Sequence, residues 1–206
     1  MDTSQRFTLL NHLLERANGF SRVAIWVAGA LTLISALYIT ADVLMRKITG
    51  FALGGSDELS GYAFAISISW ALSFATLQRA NIRIDALYQH LPTRLCAALD
   101  WLALVALAVF IAYLTLYAYD VTMTSWVKNS RSNSTLGTPL WIPQIIWLAG
   151  FIWFCIVLAL MLIRATLALL TGDMASIRSL TGMRSIEEEA EDEAEQGRRF
   201  AEGDHP

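Results

Sequence analysis

Four long apolar runs dominate the chain, separated by short polar stretches. From Val23 to Ala41 nineteen residues pass without a charge, which is roughly 28 Å of helix, close to the hydrocarbon thickness of about 30 Å. Leu59 to Leu77, Trp101 to Tyr119, and a stretch from near Leu140 to Ile163 pass the same test. None alternates with the period of two that marks a barrel strand. Backbone polar groups in lipid must be bonded within their own segment, so each run predicts a transmembrane helix. The second run is the most polar, with Ser60, Gly61, Ser67, Ser69, Ser73 and Thr76, but its charged flanks make it a full span. The first run is too long for the apolar part of a cleaved secretory signal and reads as an uncleaved span.

Two shorter pieces look amphipathic. Phe7, Leu10, Leu13 and Leu14 recur at helical spacing among Arg6, His12, Glu15 and Arg16, and Ile84, Leu87, Tyr88 and Leu91 do so between the second and third runs, where Pro92 ends the piece. Each is expected to lie flat at the membrane surface. The expected fold is therefore an all-α membrane protein of four transmembrane helices with short interfacial amphipathic helices. Residues 1–19 form the interfacial helix, residues 20–172 the four-helix domain, and residues 173–206 a tail. The spans are placed at about 23–44, 58–78, 98–120 and 140–164.

Charge sets the expected orientation. Eleven Lys and Arg residues lie in the amino-terminal segment (Arg6, Arg16, Arg22), the middle loop (Arg79, Arg83, Arg94) and the carboxyl-terminal segment, against four in the other two loops (Arg46, Lys47, Lys128, Arg131). Basic loops are retained in the cytoplasm, so both termini are expected inside. Trp26 and Trp101 then fall near inner ends, and Tyr38, Tyr117, Tyr119, Trp126 and Trp141 near outer ends, where amphipathic rings favour headgroups. Trp70 and Trp153 fall mid-span and read as packing residues.

Composition agrees with a lipid solvent: 55% of residues are hydrophobic and 16% charged, against about a quarter charged in soluble domains. The net charge of −3 conceals an acidic tail, since residues 183–206 carry nine acids and three bases. With almost nothing apolar to bury, that tail reads as disordered. No basic cluster suggests nucleic acid. Cys96 and Cys155 are too few for a disulfide framework and read as packing residues. His12, His90 and His205 all lie outside the spans, which excludes a di-histidine haem protein, and no metal-ligand spacing, phosphate loop or nucleophile motif occurs. Gly54-Gly55 reads as a turn. The chain is thus expected to be no enzyme and to hold no cofactor. Asp42, Asp57, Glu58, Asp100 and Asp120 sit at span ends, where water or headgroups are expected to reach them, and Asp57 and Glu58 complement a helix dipole. Glu58 is further expected to meet a partner.

Along the second span Gly61, Ala65, Ser69 and Ser73 recur every fourth residue, a strip that admits close approach by another helix, within this unit or in another subunit. At its end lies a dense polar cluster, Gln78, Arg79, Asn81, Arg83 and Asp85, in which Asp85 is suited to pair with an arginine.

Two blocks carry a family resemblance. In residues 57–92, an acid opening the helix (Glu58), a mid-helix Trp70, then Arg79 and Ile82-Arg83-Ile84-Asp85 are similar to the pattern of the DctQ-like small membrane subunit of tripartite ATP-independent periplasmic (TRAP) transporters. In residues 134–151, Gly137, Pro139, Trp141 and Pro143 resemble the same family's opening of helix four. The resemblance covers about residues 20–170. One departure is Asn81, where the family usually has a histidine; an amide hydrogen-bonds but carries no proton charge.

The resemblance implies a bacterial inner-membrane, multi-pass accessory subunit. A periplasmic substrate-binding protein captures a carboxylate or sulfonate, and a large membrane subunit moves it with a sodium gradient. Sodium coupling belongs to that partner, and the small subunit is a scaffold among membrane lipids. Glu58, Gly61, Ala65, Ser69, Trp70, Ser73, Arg79, Asn81, Arg83, Asp85, Gly137, Pro139 and Trp141 are then the candidates for subunit contact or structure. Lys128 and Arg131, in the longer outer loop, are candidates for docking the binding protein. Two rivals remain: a self-sufficient dimeric proton-coupled carrier, which requires a deep carboxylate, and a signalling anchor in which the acidic tail works.

Overall fold

A computed structural model describes residues 3–52, 54–78, 92–134, 136–171, 194 and 198. Among them the secondary structure consists of four long helices: α1 (Thr3–Thr49), α2 (Ser56–Leu77), α3 (Thr93–Val127) and α4 (Trp141–Thr171). Each is long and apolar enough to cross a membrane, and α2 is the least apolar. The chain is thus a multi-pass, all-helical membrane protein. The expected spans overlap these helices, with 58–78 ending one residue past α2 and 140–164 beginning one residue before α4. The middle-loop amphipathic piece, the cluster from Arg79 to Asp85 and the acidic tail lie outside the described residues.

α1 is longer than its span. Forty-seven residues make about 70 Å of helix, and the amphipathic segment expected to lie flat runs on into the first span without a break. Part of its apolar face turns against protein: Leu14 and Ala17 are buried in a core with Leu104 and Ile111 of α3 and Phe154, Val157, Leu158, Met161 and Ala165 of α4, while Leu13 is exposed. α2, at about 33 Å, is the one helix matched to the bilayer.

The helices stand in a row rather than a closed bundle. α1 packs on α2, α2 on α4, and α4 on α3, while α1 touches α4 more lightly. α4, in the middle, contributes the most buried residues; the span of α1 buries almost none and presents Val23, Trp26, Val27, Leu33, Ile34 and Leu37 outward. Lipid tails are as apolar as these side chains, so burial of oil drives little here; close packing and interhelical hydrogen bonds hold the row. A second cluster joins Ala118 of α3 to Leu148 and Phe151 of α4, and a third joins Ala97 to Ala168.

Turns at one end follow from glycine. Gly50, Gly54 and Gly55 all take positive φ, the last at 71°, so the chain reverses between α1 and α2 in a conformation that disfavours other residues. The expected Gly54-Gly55 turn is there. The α3–α4 connection is a tight hairpin at the same end: Arg131 and Pro139 bridge, Ser132 N donates to Thr138 O at 3.0 Å, and Leu140 N donates to Ser130 O at 3.0 Å.

Candidate functional site

The polar groups fall into three layers along the row. At the hairpin end, Asp42 is fully buried, against the expectation that water reaches it. The cause is that α1 runs seven residues past it to Thr49 before the chain turns back over it. Arg46, one turn on, donates to Asp42 Oδ2 at 2.6 Å and Ser56 Oγ donates to the same oxygen at 2.8 Å. The carboxylate thereby staples the end of α1 to the start of α2. Asp100, near the other end of α3, is also buried, because α3 begins seven residues earlier and packs there on α4, with Ala97 against Ala168 and Trp101 Nε1 donating to Thr166 Oγ1 at 2.9 Å. Asp57 and Asp120 are exposed, as expected.

Glu58 has the partner expected of it, within the chain itself. Tyr62, one turn along α2, donates to Oε1 at 2.8 Å, and Ser134 Oγ of the hairpin donates to Oε2. The hydroxyls of Ser132 and Thr138 face the same carboxylate. Leu136 adds an apolar contact, lying on Gly55 so closely that a Cβ there would collide with it. Gly137 takes φ 55°, Pro139 closes the bridge, and Trp141 opens α4 with its ring edge-on to Trp126 at 4.6 Å. Arg131 is exposed on this hairpin and Lys128 at its root.

In the middle layer the small-residue strip divides. Ser69 and Ser73 are buried, Ala65 is half-buried and Gly61 is exposed. Ser69 meets Gly150 of α4 at backbone distance: a Cβ on Gly150 would come within 2.9 Å of Ser69 Cβ and 3.0 Å of its carbonyl carbon. Ser73 Oγ lies 3.2 Å from Ser21 Oγ, which accepts from Trp153 Nε1 at 3.1 Å, so three helices share one hydroxyl. Trp70 Nε1 donates to Ile146 O of α4 at 3.1 Å, and Phe20 of α1 lies against both Trp70 and Trp153. Thr32 donates to Ser67 Oγ at 3.0 Å, and Ser67 donates to Ala28 O at 2.9 Å. Both mid-span tryptophans therefore pack as expected, each with its N–H bonded. Gly61 borders an open groove of about 370 Å³ with Thr32, Ser35, Ala36, Ile39 and Phe64, and Asp57 stands at its mouth.

At the opposite end Gln78 Nε2 donates to Asn18 Oδ1 at 3.1 Å. Beyond that pair, Arg164 of α4 donates through Nε to Asn11 Oδ1 at 3.1 Å, and its guanidinium lies 4.4 Å from the centre of the Phe7 ring. Of the two cysteines, Cys96 is buried and Cys155 is half-buried beside Thr115 Oγ1 at 3.3 Å.

Sequence reasoning singled out Glu58, Ser69, Ser73 and Trp70 but not the groups they meet: Ser134, Gly150, Ser21 and Ile146. Tyr62 was missed as well, although residues four apart on a helix face one another, a signal that could have found it. Arg79, Asn81, Arg83 and Asp85 lie outside the described residues.

The buried polar contacts of the middle layer are made by hydroxyls, indoles and backbone carbonyls, and Arg22, next to Ser21, is exposed. No curated protein and no solved structure matches the chain. A family does, described as tripartite ATP-independent periplasmic transporters, DctQ component, over residues 35–168. That stretch is more than half of the 206 residues and takes in all of α2 and α3, most of α4 and the last part of α1. The chain belongs to the DctQ family of TRAP transporter components.

Proposed function

We propose that this chain is the scaffold subunit of a TRAP-type secondary transporter in a bacterial inner membrane. It packs against a large transport subunit, broadens that subunit's footprint in the bilayer, and performs no chemistry of its own. The partner moves a small organic anion with sodium after a periplasmic binding protein delivers it. Both termini face the cytoplasm, which puts the Glu58 hairpin on the periplasmic side, where the exposed Lys128 and Arg131 meet acidic groups of the binding protein.

The observation that carries this reading is the open row: α1 is a membrane-length helix with almost none of its span buried, beside a middle layer whose buried polar contacts are made by hydroxyls and indoles. A chain that carried an anion or proton alone would need an ionisable group at that depth. The buried carboxylates Asp42 and Asp100 sit toward opposite ends of the row, and Asp42 is held by Arg46 and Ser56. Gly61 and its groove are the best candidate seat for a partner helix, because small residues let backbones approach.

The test is extraction of the tagged chain from its native membrane in a mild detergent, with mass spectrometry of what co-purifies. One large multi-span protein in equal amount is the expected result. Recovery of the chain alone as a dimer that supports uptake in vesicles would overturn the scaffold reading for the carrier.

A further inference from the structure

Arg131 lies on the hairpin and Lys128 caps α3 at its root; the hairpin is bonded within itself and its root is tied to α3 by Ser130 N donating to Ser125 O at 3.0 Å, but none of these bonds reaches α2. The hairpin's ladder, from Ser130–Leu140 through Arg131–Pro139 to Ser132–Thr138, could swing as a body about the ends of α3 and α4. Beyond those root bonds, the contacts that oppose a swing of the ladder go to the start of α2. One is the Glu58 carboxylate, which accepts from Ser134 Oγ on the hairpin and from Tyr62 OH on its own helix, so each oxygen has a different donor. The other is Leu136 seated on Gly55. Ser134 also accepts from Leu136 N at 3.1 Å, so the hydroxyl that meets Glu58 orders the residue that meets Gly55.

We propose that Glu58 is a positioning residue whose carboxylate clasps the hairpin to α2 and so holds Arg131 in one arrangement beside Lys128, toward an acidic face of the periplasmic binding protein. The inference rests on the docking role proposed above for those two cations. A surface held in one geometry binds without the cost of ordering it, whereas a free hairpin is competent only for the fraction of time it visits that geometry, and apparent affinity falls by that fraction. A hydrogen bond to a charged group is strong enough for the fraction to fall roughly fivefold when it is lost. Asp57, the neighbouring acid, is exposed and makes none of these contacts, which makes it the internal control.

The experiment uses the membrane complex containing the large subunit and, as probe, the transporter's own binding protein purified from periplasm with its natural anion bound. Binding is titrated for Glu58→Ala, Ser134→Ala, the double variant, Asp57→Ala and Lys128→Glu/Arg131→Glu. A nitroxide on Asn133→Cys, which is exposed on the hairpin, reports motion without any partner. The expected result is a Kd raised roughly fivefold by Glu58→Ala, by less in Ser134→Ala, which leaves the Ser132 and Thr138 hydroxyls facing the carboxylate, and no further in the double variant than in Glu58→Ala, since Ser134 acts through Glu58. The nitroxide loosens in both single clasp variants, Asp57→Ala leaves Kd and nitroxide alone, and the yield of large subunit is unchanged. Ser134→Ala sits outside the spans and keeps the test open if Glu58→Ala fails to fold. An immobile label, or an unchanged Kd in both clasp variants while the charge reversal weakens binding, overturns the clasp and leaves docking standing. An unchanged Kd in the charge reversal overturns the docking reading itself.

Discussion

Gly150 is the residue at which the row is tightest. Its missing side chain lets α4 meet the backbone of α2 at Ser69, so Gly150→Ala should lower stability by about 1–3 kcal/mol, the usual cost of overpacking. Thermal unfolding of the purified complex in detergent would show it. Ser69→Gly in the same chain should restore part of the loss, since the nearest obstacle is the Ser69 side chain. Gly61→Ala should leave the melt of the isolated chain unchanged or slightly raised, because no atom lies within 4 Å of the added carbon and alanine favours helix. Asp42→Ala should cost about 1–3 kcal/mol by stranding Arg46 and Ser56, and Asp42→Asn should cost less by keeping an acceptor for Ser56. At this scale the sequence carried a usable signal for partners one turn away on the same helix, as in Tyr62 with Glu58 and Arg46 with Asp42, but not for burial. The burial of Asp42 was not legible: a carboxylate at the nominal end of an apolar run looks solvated, and only the overrun of α1 and the returning turn bury it.

At the scale of elements, each helix was legible and its neighbours were not. Apolar length placed α2 to within a few residues. It underestimated α1, α3 and α4, because their ends pack on protein beyond the layer that lipid requires to be apolar. The amphipathic start of α1 shows the ambiguity: an apolar stripe beside charges fits a membrane surface and a protein groove equally, and here Leu14 and Ala17 face the α3–α4 core. Trp70→Phe and Trp153→Phe should each cost on the order of 0.6 kcal/mol, the mean worth of an interhelical hydrogen bond in a membrane, and the two measured together in detergent unfolding should depart from the sum, because Phe20 packs against both rings. Gly61→Leu belongs here as well. It should spare the fold of this chain yet reduce the large subunit recovered with it, and full recovery would remove the α1–α2 groove as the partner's seat.

For the whole molecule, the open row makes a prediction about topology and solubility. With both ends in the cytoplasm, an impermeant maleimide added to intact cells, after the outer membrane is permeabilised, should label Asn133→Cys but not Thr3→Cys; the reverse pattern would invert the proposed orientation. What the sequence alone determined is whatever lipid demands of a single segment: four spans, helical because each must bond its own backbone, and a family whose marks are short local blocks. What only the tertiary structure decided is who meets whom: the order α1, α2, α4, α3, the division of the serine strip between a buried contact and an open groove, and the Glu58 clasp. The physical reason is that a lipid solvent constrains every residue's depth but hardly its direction. An apolar side chain satisfies lipid and protein alike, so direction is settled by close packing at a glycine and by a few hydrogen bonds between residues as far apart in sequence as Ser21 and Trp153.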